Sequence, residues 1–463
     1  MANETQTSQL PSYITSATPN PPDKRAPWYK TTAQTYAGIF LWFVFWDSMS
    51  QYGLSVGGLG ATLLGVVLGA LICHFLFYYV PGILGTNTGL PLYVVGTSTF
   101  GAVGGLLMPG FLMGLLQFGW LGVNIYYSSD YLANNAFSAP ALFQPLCIIW
   151  GLAAAFVGLK GIQYVAKVAT FLPIIPFVVL VIGLVMFVGS AGSYKPAPEV
   201  SAAVTGASSG GAMKAILLMV GAIVGFFATA GAAGVDICTS NRDKKDVSMG
   251  GIWGIVIAII FTAGISVIAV AGAQAAGVID PGTIKMTTAL QKKLSPQFFA
   301  AIMIGLTLAS FPGACFSSFI AANSFKTVMP KVNPFLSVGI GAIVSIILAI
   351  TKVAADLPNY FGLIGASFGP IVGAMVVDYF LAGSKWNGPR TGFNPAGWIA
   401  WLLGFIVGIL PNAMLPAAIR VDIPCAPVAS FIVGAVVYFI CAKAGMLSAT
   451  VPLPAKQPEP VKA

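Results

Sequence analysis

Twelve apolar stretches, each close to the length that crosses a bilayer, fill this chain and leave room for little else. They run near 35–55, 59–84, 107–129, 139–159, 166–191, 213–236, 249–275, 297–322, 334–352, 357–382, 396–418 and 426–446. A helical span consumes about 20 apolar residues plus a short connection, so 463 residues are used up by about a dozen spans. Only 8% of the residues are charged, against roughly 25% in a soluble domain, too few to cover a water-facing surface. The expected fold is all-α integral membrane, with twelve transmembrane helices at 31–446 and no sizeable soluble catalytic domain. Short connections at 130–138, 353–356 and 419–425 make neighbouring helices antiparallel.

The polar ends, 1–30 and 447–463, are expected to be disordered cytoplasmic tails. The first has five prolines and no basic stretch leading into a short apolar core, which argues against a cleaved signal peptide. Six scattered cysteines without a CxxC pair, and His74 as the one histidine, argue against a disulfide scaffold, a His/Cys metal site or any cofactor. A net charge of +9 might suggest nucleic acid, but no basic cluster exceeds Arg242, Lys244, Lys245. Topology accounts for the charge. With both termini inside, 15 of the 22 lysines and arginines fall on the tails and even-numbered connections and 7 on the other side, the asymmetry of a multi-pass protein of the inner (plasma) membrane.

Two spans are interrupted more heavily than the rest. In helix 1, Asp47-Ser48-Met49-Ser50-Gln51-Tyr52-Gly53 leads on to Ser55, Gly57, Gly58 and Gly60; in helix 6, Gly225 to Gly234 is a small-residue run ending at Asp236. These are the first helices of two five-helix halves, 1–5 and 6–10. Paired interruptions at corresponding positions point to an inverted-repeat secondary transporter with its site at the midplane; glycines that merely let helices pack closely are the other reading.

Polar and aromatic residues inside spans supply the candidates for a site. Trp120 and Asn124, four apart in helix 3, share a face, and an indole beside a carboxamide suits a flat heterocycle: the ring stacks and the amide reads donors and acceptors. An interhelical hydrogen bond beside a packing tryptophan satisfies the same spacing. Phe226 and Phe227 offer an opposing wall or plain packing. Of Asp47, Asp130, Asp236 and Asp378, only Asp47 reads as mid-helix, making it the candidate for a protonatable coupling group. His74 reads as a packing residue. In helix 8, Ser310, Ser317 and Ser318 flank Pro312 and Gly313, where hydroxyls and freed carbonyls suit a hard cation or the serines bond their own helix.

These segments together resemble the nucleobase-cation symporter family, which includes cytosine, purine, allantoin, hydantoin and thiamine-precursor permeases. The resemblance runs from about 25 to 446 and is nearest to the cytosine-permease branch. Val224-Gly225-Phe226-Phe227-Ala228-Thr229 with Asp236 downstream is similar to the family's helix 6 signature. Gly365-Ala366-Ser367-Phe368-Gly369-Pro370 through Asp378-Tyr379-Phe380, followed by Gly392-Phe393-Asn394-Pro395, is similar to its helix 10 and the entry to helix 11. Thr99-Phe100-Gly101 and Gly119-Trp120 match the loop and helix 3.

The resemblance implies a five-plus-five inverted repeat of the leucine-transporter type with broken helices 1 and 6. It implies that Trp120 stacks on the base and Asn124 hydrogen-bonds it. Gly225 and Phe226 would form the other wall, Ser48, Gln51 and Tyr52 would line the site from helix 1, and Ser317 would take the place of a substrate-contacting amide. A sodium site would fall near Ser48, Gln51 and Ser310, with a proton on Asp47 as its rival. The chain departs from the family pattern at Phe226, a tryptophan in some members, at Thr97 for an arginine, and at Phe311-Pro312 for a Ser/Thr pair. The expected function is cation-coupled import of cytosine or a related base by alternating access. An amino-acid or other small-solute symporter of the same fold is the nearest alternative, since broken-helix ends suit a carboxylate. One histidine leaves little room for an enzyme.

Overall fold

The computed structural model describes residues 10–160, 171–197, 199–200 and 211–453. Twelve successive helical rods are present: α1 (Thr32–Leu41, continuing as Phe43–Asp47), α2 (Leu54–Thr88), α3 (Thr97–Ala136), α4 (Pro140–Lys160), α5 (Ile174–Ala191), α6 (Gly211–Ala232), α7 (Lys244–Ala275), α8 (Pro296–Val328), α9 (Pro334–Ile350), α10 (Leu357–Leu381), α11 (Pro395–Ile409) and α12 (Ala426–Lys443). Nine of these are long and apolar enough to cross a membrane, α9 and α11 are shorter apolar helices, and α1 is broken. Large apolar side chains such as Phe156, Ile149, Val185 and Ile440 point outward, as they do on rods bathed in lipid rather than water.

The packing obeys an internal exchange of halves. Swapping α1–α5 for α6–α10 turns the contact of α4 with α8 into that of α9 with α3, and the contact of α2 with α6 into that of α7 with α1; both members of each pair are present. α3 and α8 meet each other across the axis, and α11 and α12 pack beside α10.

Helix 1 is interrupted before the stretch expected. Trp42 takes an extended conformation (φ −62°, ψ 122°) between Thr32–Leu41 and Phe43–Asp47. Ser48 to Tyr52 then close as a tight turn of helix, and Gly58, with φ +80°, makes the corner where α2 begins. The glycines after Asp47 belong to that corner, where only glycine holds such a φ cheaply. Helix 6 runs unbroken through Gly225, Phe226 and Phe227 and changes only at Ala233, a single tightened turn before Gly234–Cys238. Gly225 is used for approach: a Cβ there would sit 2.7 Å from the Phe361 carbonyl oxygen of α10.

The tails are not loose where they are described. From Leu10 to Lys30 the chain lies across the ends of α2, α3 and α6. Ile14 is buried, Asn20 N–H donates to Gly89 O (2.9 Å), Ala26 N–H to Ser240 O (2.9 Å), and Arg25 to Thr86 O (2.7 Å). On the same face Thr391 N–H donates to Ala449 O and Val451 N–H to Pro389 O. These backbone bonds hold polar, proline-rich sequence in place, which composition alone does not reveal. This terminal face carries both ends of the described chain. The opposite face is covered by a short helix, Met286–Lys293, in the α7–α8 connection, called the lid below. Residues 1–9 and 454–463 lie outside the described residues.

Candidate functional site

The break in α1 opens beside an aromatic group drawn from four helices. Around Phe226 of α6 stand Trp120 of α3 (5.2 Å between ring centres), Phe361 of α10 (5.4 Å), and Phe45 (4.6 Å) and Trp42 (6.4 Å) of α1. Tyr360 of α10 meets Trp120 edge-on at 5.1 Å, and Trp42 does so at 5.9 Å. The Trp120 indole N–H donates to Thr229 Oγ1 of α6 (3.3 Å), which fixes the ring's rotation. The Trp42 indole nitrogen is buried with no hydrogen-bond partner among the described residues. A buried donor left without an acceptor costs about 1–3 kcal/mol, so it marks a place where a ligand acceptor is favoured.

Trp120 and Phe226 therefore converge, as the sequence led one to expect, but not as a parallel sandwich. Their planes stand at 78°, whereas a flat guest between two rings needs roughly 7 Å between them, twice a carbon contact distance. The group is closed upon itself and must part to admit a ring. Trp42, Tyr360 and Phe361 were not foreseen. The first sits at a break without glycine or proline, and the other two come from the far half of the chain.

Asn124 faces away from this group. Its amide nitrogen donates to Ser310 O (3.0 Å), while its oxygen accepts from Trp150 Nε1 (3.0 Å) and Ser128 Oγ (3.3 Å). It is committed to joining α3 to α4 and α8. Ser317, seven residues or about two turns along α8 from Ser310, is half-buried.

Ser310 is not brought to Ser48 and Gln51. It borders a cavity of about 30 Å³ with Gly38, Leu41 and Trp42 at the α1 break, Pro173 and Pro176 beside α5, and Leu306 and Ala309 of α8. The Ser310 hydroxyl lies 2.7 Å from Thr307 O and 2.8 Å from Ser128 Oγ. Here the first half of α1 ends, and the Leu41 carbonyl accepts from the Trp46 indole N–H (3.0 Å) instead of from a helical amide. Ser48 bonds its own helix at Val44 O, and Ser50 donates to Ile284 O beside the lid. With Gln51 and Tyr52, which follow in the same closing turn, these residues end α1 on the lid face.

Asp47 is at the lid as well, not at mid-membrane. Its carboxylate, 2% exposed, accepts from Thr287 N–H (2.9 Å), Thr287 Oγ1 (2.6 Å) and the Tyr131 hydroxyl. Asp378 is paired with Arg390 (3.3 Å) and accepts from Ser98 Oγ (2.5 Å) and Tyr438 OH (2.7 Å). Asp236 accepts from Leu92 N–H (2.9 Å) and Asp130 from Asn134 Nδ2 (2.7 Å). His74 packs against Tyr78 and Tyr79. All six cysteines are free, and no group of three His, Cys, Asp or Glu able to hold a metal occurs among the described residues.

No family model matches the chain. Two proteins of Escherichia coli (strain K12) are similar to it. One, provisionally named an allantoin permease, is 24% identical over 388 residues, 76% of this chain and 78% of that one. The other, a cytosine permease, is 24% identical over 372 residues, 78% and 79% of the two chains. Among solved structures, MHP1, a nucleobase-cation-symport-1 family transporter in a closed conformation with bromovinylhydantoin bound, superposes with a TM-score of 0.65. It is 15% identical and the match covers 97% of this chain and 98% of that one. The all-α fold of two exchanged five-helix halves is thus a shared one, and in sequence and in fold this chain resembles the nucleobase-cation symporters.

Proposed function

We propose that this protein is a secondary active transporter that carries a planar nitrogen heterocycle, cytosine or a related base, across the membrane together with sodium. One observation carries the reading: Trp42, Trp120, Phe226, Tyr360 and Phe361 converge at the break in α1, and the indole N–H of Trp42 has no acceptor among the described residues. Aromatic faces suit a flat ring, and the free donor suits a ring nitrogen or an exocyclic carbonyl. The similarity to a cytosine permease favours a pyrimidine base. A five-membered imide of the hydantoin or allantoin kind fits the same donor and is the second reading, favoured by the ligand named for the matching structure. Broken-helix ends also suit an amino-acid carboxylate, the third outcome to be tested.

For sodium the favoured place is beside Ser310, a residue that borders one small cavity together with Gly38, Leu41 and Trp42 at the end of the first half of α1. The proton alternative would act through Asp47, which accepts from Thr287 at the lid and not at this cavity. Exchange between a state open toward the lid face and a state open toward the terminal face, around this fixed site, gives alternating access. The charge asymmetry supports both tails lying in the cytoplasm, with the protein in the inner or plasma membrane. Uptake of labelled cytosine, hydantoin, allantoin and amino acids into proteoliposomes, under a sodium or a proton gradient, tests the whole reading. Sodium-driven uptake of a base or an imide is expected; uptake of amino acids alone overturns the ring reading, and uptake driven only by protons overturns the sodium site.

A further inference from the structure

Two carboxylates do the same thing at opposite faces of the molecule. Asp47 closes Phe43–Asp47, the last α-helical segment of α1, and accepts from the N–H of Thr287, the second residue of the lid helix Met286–Lys293 in the α7–α8 connection. Asp236 sits in Gly234–Cys238, the segment that ends α6, and accepts from the N–H of Leu92, the first residue of the helix Leu92–Val95 in the α2–α3 connection. Exchanging the halves carries α1 onto α6 and the α7–α8 connection onto the α2–α3 connection. The two contacts are thereby one contact, repeated with inverted orientation. Neither follows from local sequence: their partners lie 240 and 144 residues away.

We propose that Asp47 and Asp236 are paired latches of the transport cycle. Asp47 holds the lid face shut when the site opens toward the terminal face, and Asp236 holds the terminal face shut when it opens toward the lid. The inference rests on the alternating-access reading. Both contacts are closed in this structure, as in a state occluded from both sides. Each joins an end of the first helix of one half to a connection of the other half, so neither contact survives unchanged if the halves move relative to one another. The outer latch is reinforced by Thr287 Oγ1, by the Tyr131 hydroxyl, and by Lys285 lying 5.6 and 5.8 Å from the Tyr127 and Tyr131 ring centres. The inner one borders a cavity of about 310 Å³ with Asn20, Lys24 and Pro91.

The test reads conformation directly and needs no substrate. Spin labels at Lys292 and Lys352 report the lid face, and labels at Asn87 and Lys160 report the terminal face. All four are exposed, Lys160 and Lys352 at the ends of the repeat-related helices α4 and α9 while Asn87 is at the end of α2 and Lys292 lies in the lid, whereas the native cysteines are buried or half-buried. Asp47→Ala is expected to raise the open-to-closed ratio of the lid-face pair by about tenfold, the effect of losing one good hydrogen bond, leaving the terminal-face pair closed. Asp236→Ala is expected to do the reverse. If either alanine variant misfolds, Thr287→Val and Leu92→Pro remove bonds of the two latches from the partner side. Unchanged distances, or the same face opening in both variants, overturn the proposal. A protein that moves no heterocycle yet shows opposite shifts would sink the transport reading while leaving the latches standing.

Discussion

At the scale of single residues, aromatic rings were legible in the sequence and polar partners were not. Trp120 and Phe226 announced themselves because a large ring next to small residues has few places to go. Asn124 shared a helix turn with Trp120, yet its carboxamide found better partners on α4 and α8, and only the fold decides between facing groups on two sides of one helix. Trp42 was invisible since nothing in Leu41-Trp42-Phe43 breaks a helix by itself. Its role separates two substitutions. Trp42→Phe keeps a ring and deletes the donor, so binding of a base should weaken by about tenfold, the share of one hydrogen bond. Trp120→Ala deletes a stacking surface worth about 1–3 kcal/mol per base and should cost more, with Trp120→Phe recovering part of it. Isothermal titration or scintillation-proximity binding with the purified variants measures both. Equal binding by Trp42→Phe and the parent removes Trp42 from the site.

At the scale of elements, every span expected from the apolar pattern exists, because a bilayer leaves a 20-residue apolar run little alternative to helix. What the pattern misplaced was the function of glycine. The run from Gly225 to Gly234 read as an interruption, but α6 is continuous as far as Ala232 and Gly225 instead admits the Phe361 carbonyl of α10. Close packing and chain breaking ask for the same residue, so composition alone does not separate them. Gly225→Ala distinguishes them experimentally. As a breaker its loss would straighten and stabilise the helix; as a spacer its new methyl, 2.7 Å from a backbone oxygen, pushes α6 off α10. We expect a loss of about 1–3 kcal/mol, as for an overpacked core, seen as a lower melting temperature. Gly60→Ala, where nothing lies within 4 Å, should be neutral.

At the scale of the whole molecule, the repeat was legible as two halves but the contacts joining them were not. Asp47 and Asp236 look unrelated until the connections they reach are seen to exchange. The N-terminal segment shows the same limit. Its polar, proline-rich composition reads as disorder, yet residues 10–30 bind across the ends of α2 and α6 through backbone groups that no composition reports. Arg25 is the clip: its guanidinium donates to Thr86 O on α2, Asn241 O in the α6–α7 connection and Asn20 O in the tail itself. Three carbonyls from three segments converge on one planar fork, a geometry an ammonium cannot reproduce. Arg25→Ala should therefore release the tail without unfolding the bundle. Amide hydrogen exchange at Asn20 and Ala26, whose N–H groups are bonded to Gly89 O and Ser240 O, is expected to accelerate by about tenfold or more, with amides inside α6 and α10 unchanged. Arg25→Lys should fall between, since one ammonium serves fewer of the three acceptors at once. If exchange at both amides stays at the parent rate in Arg25→Ala, the tail is held by its backbone bonds alone and the clip has no role.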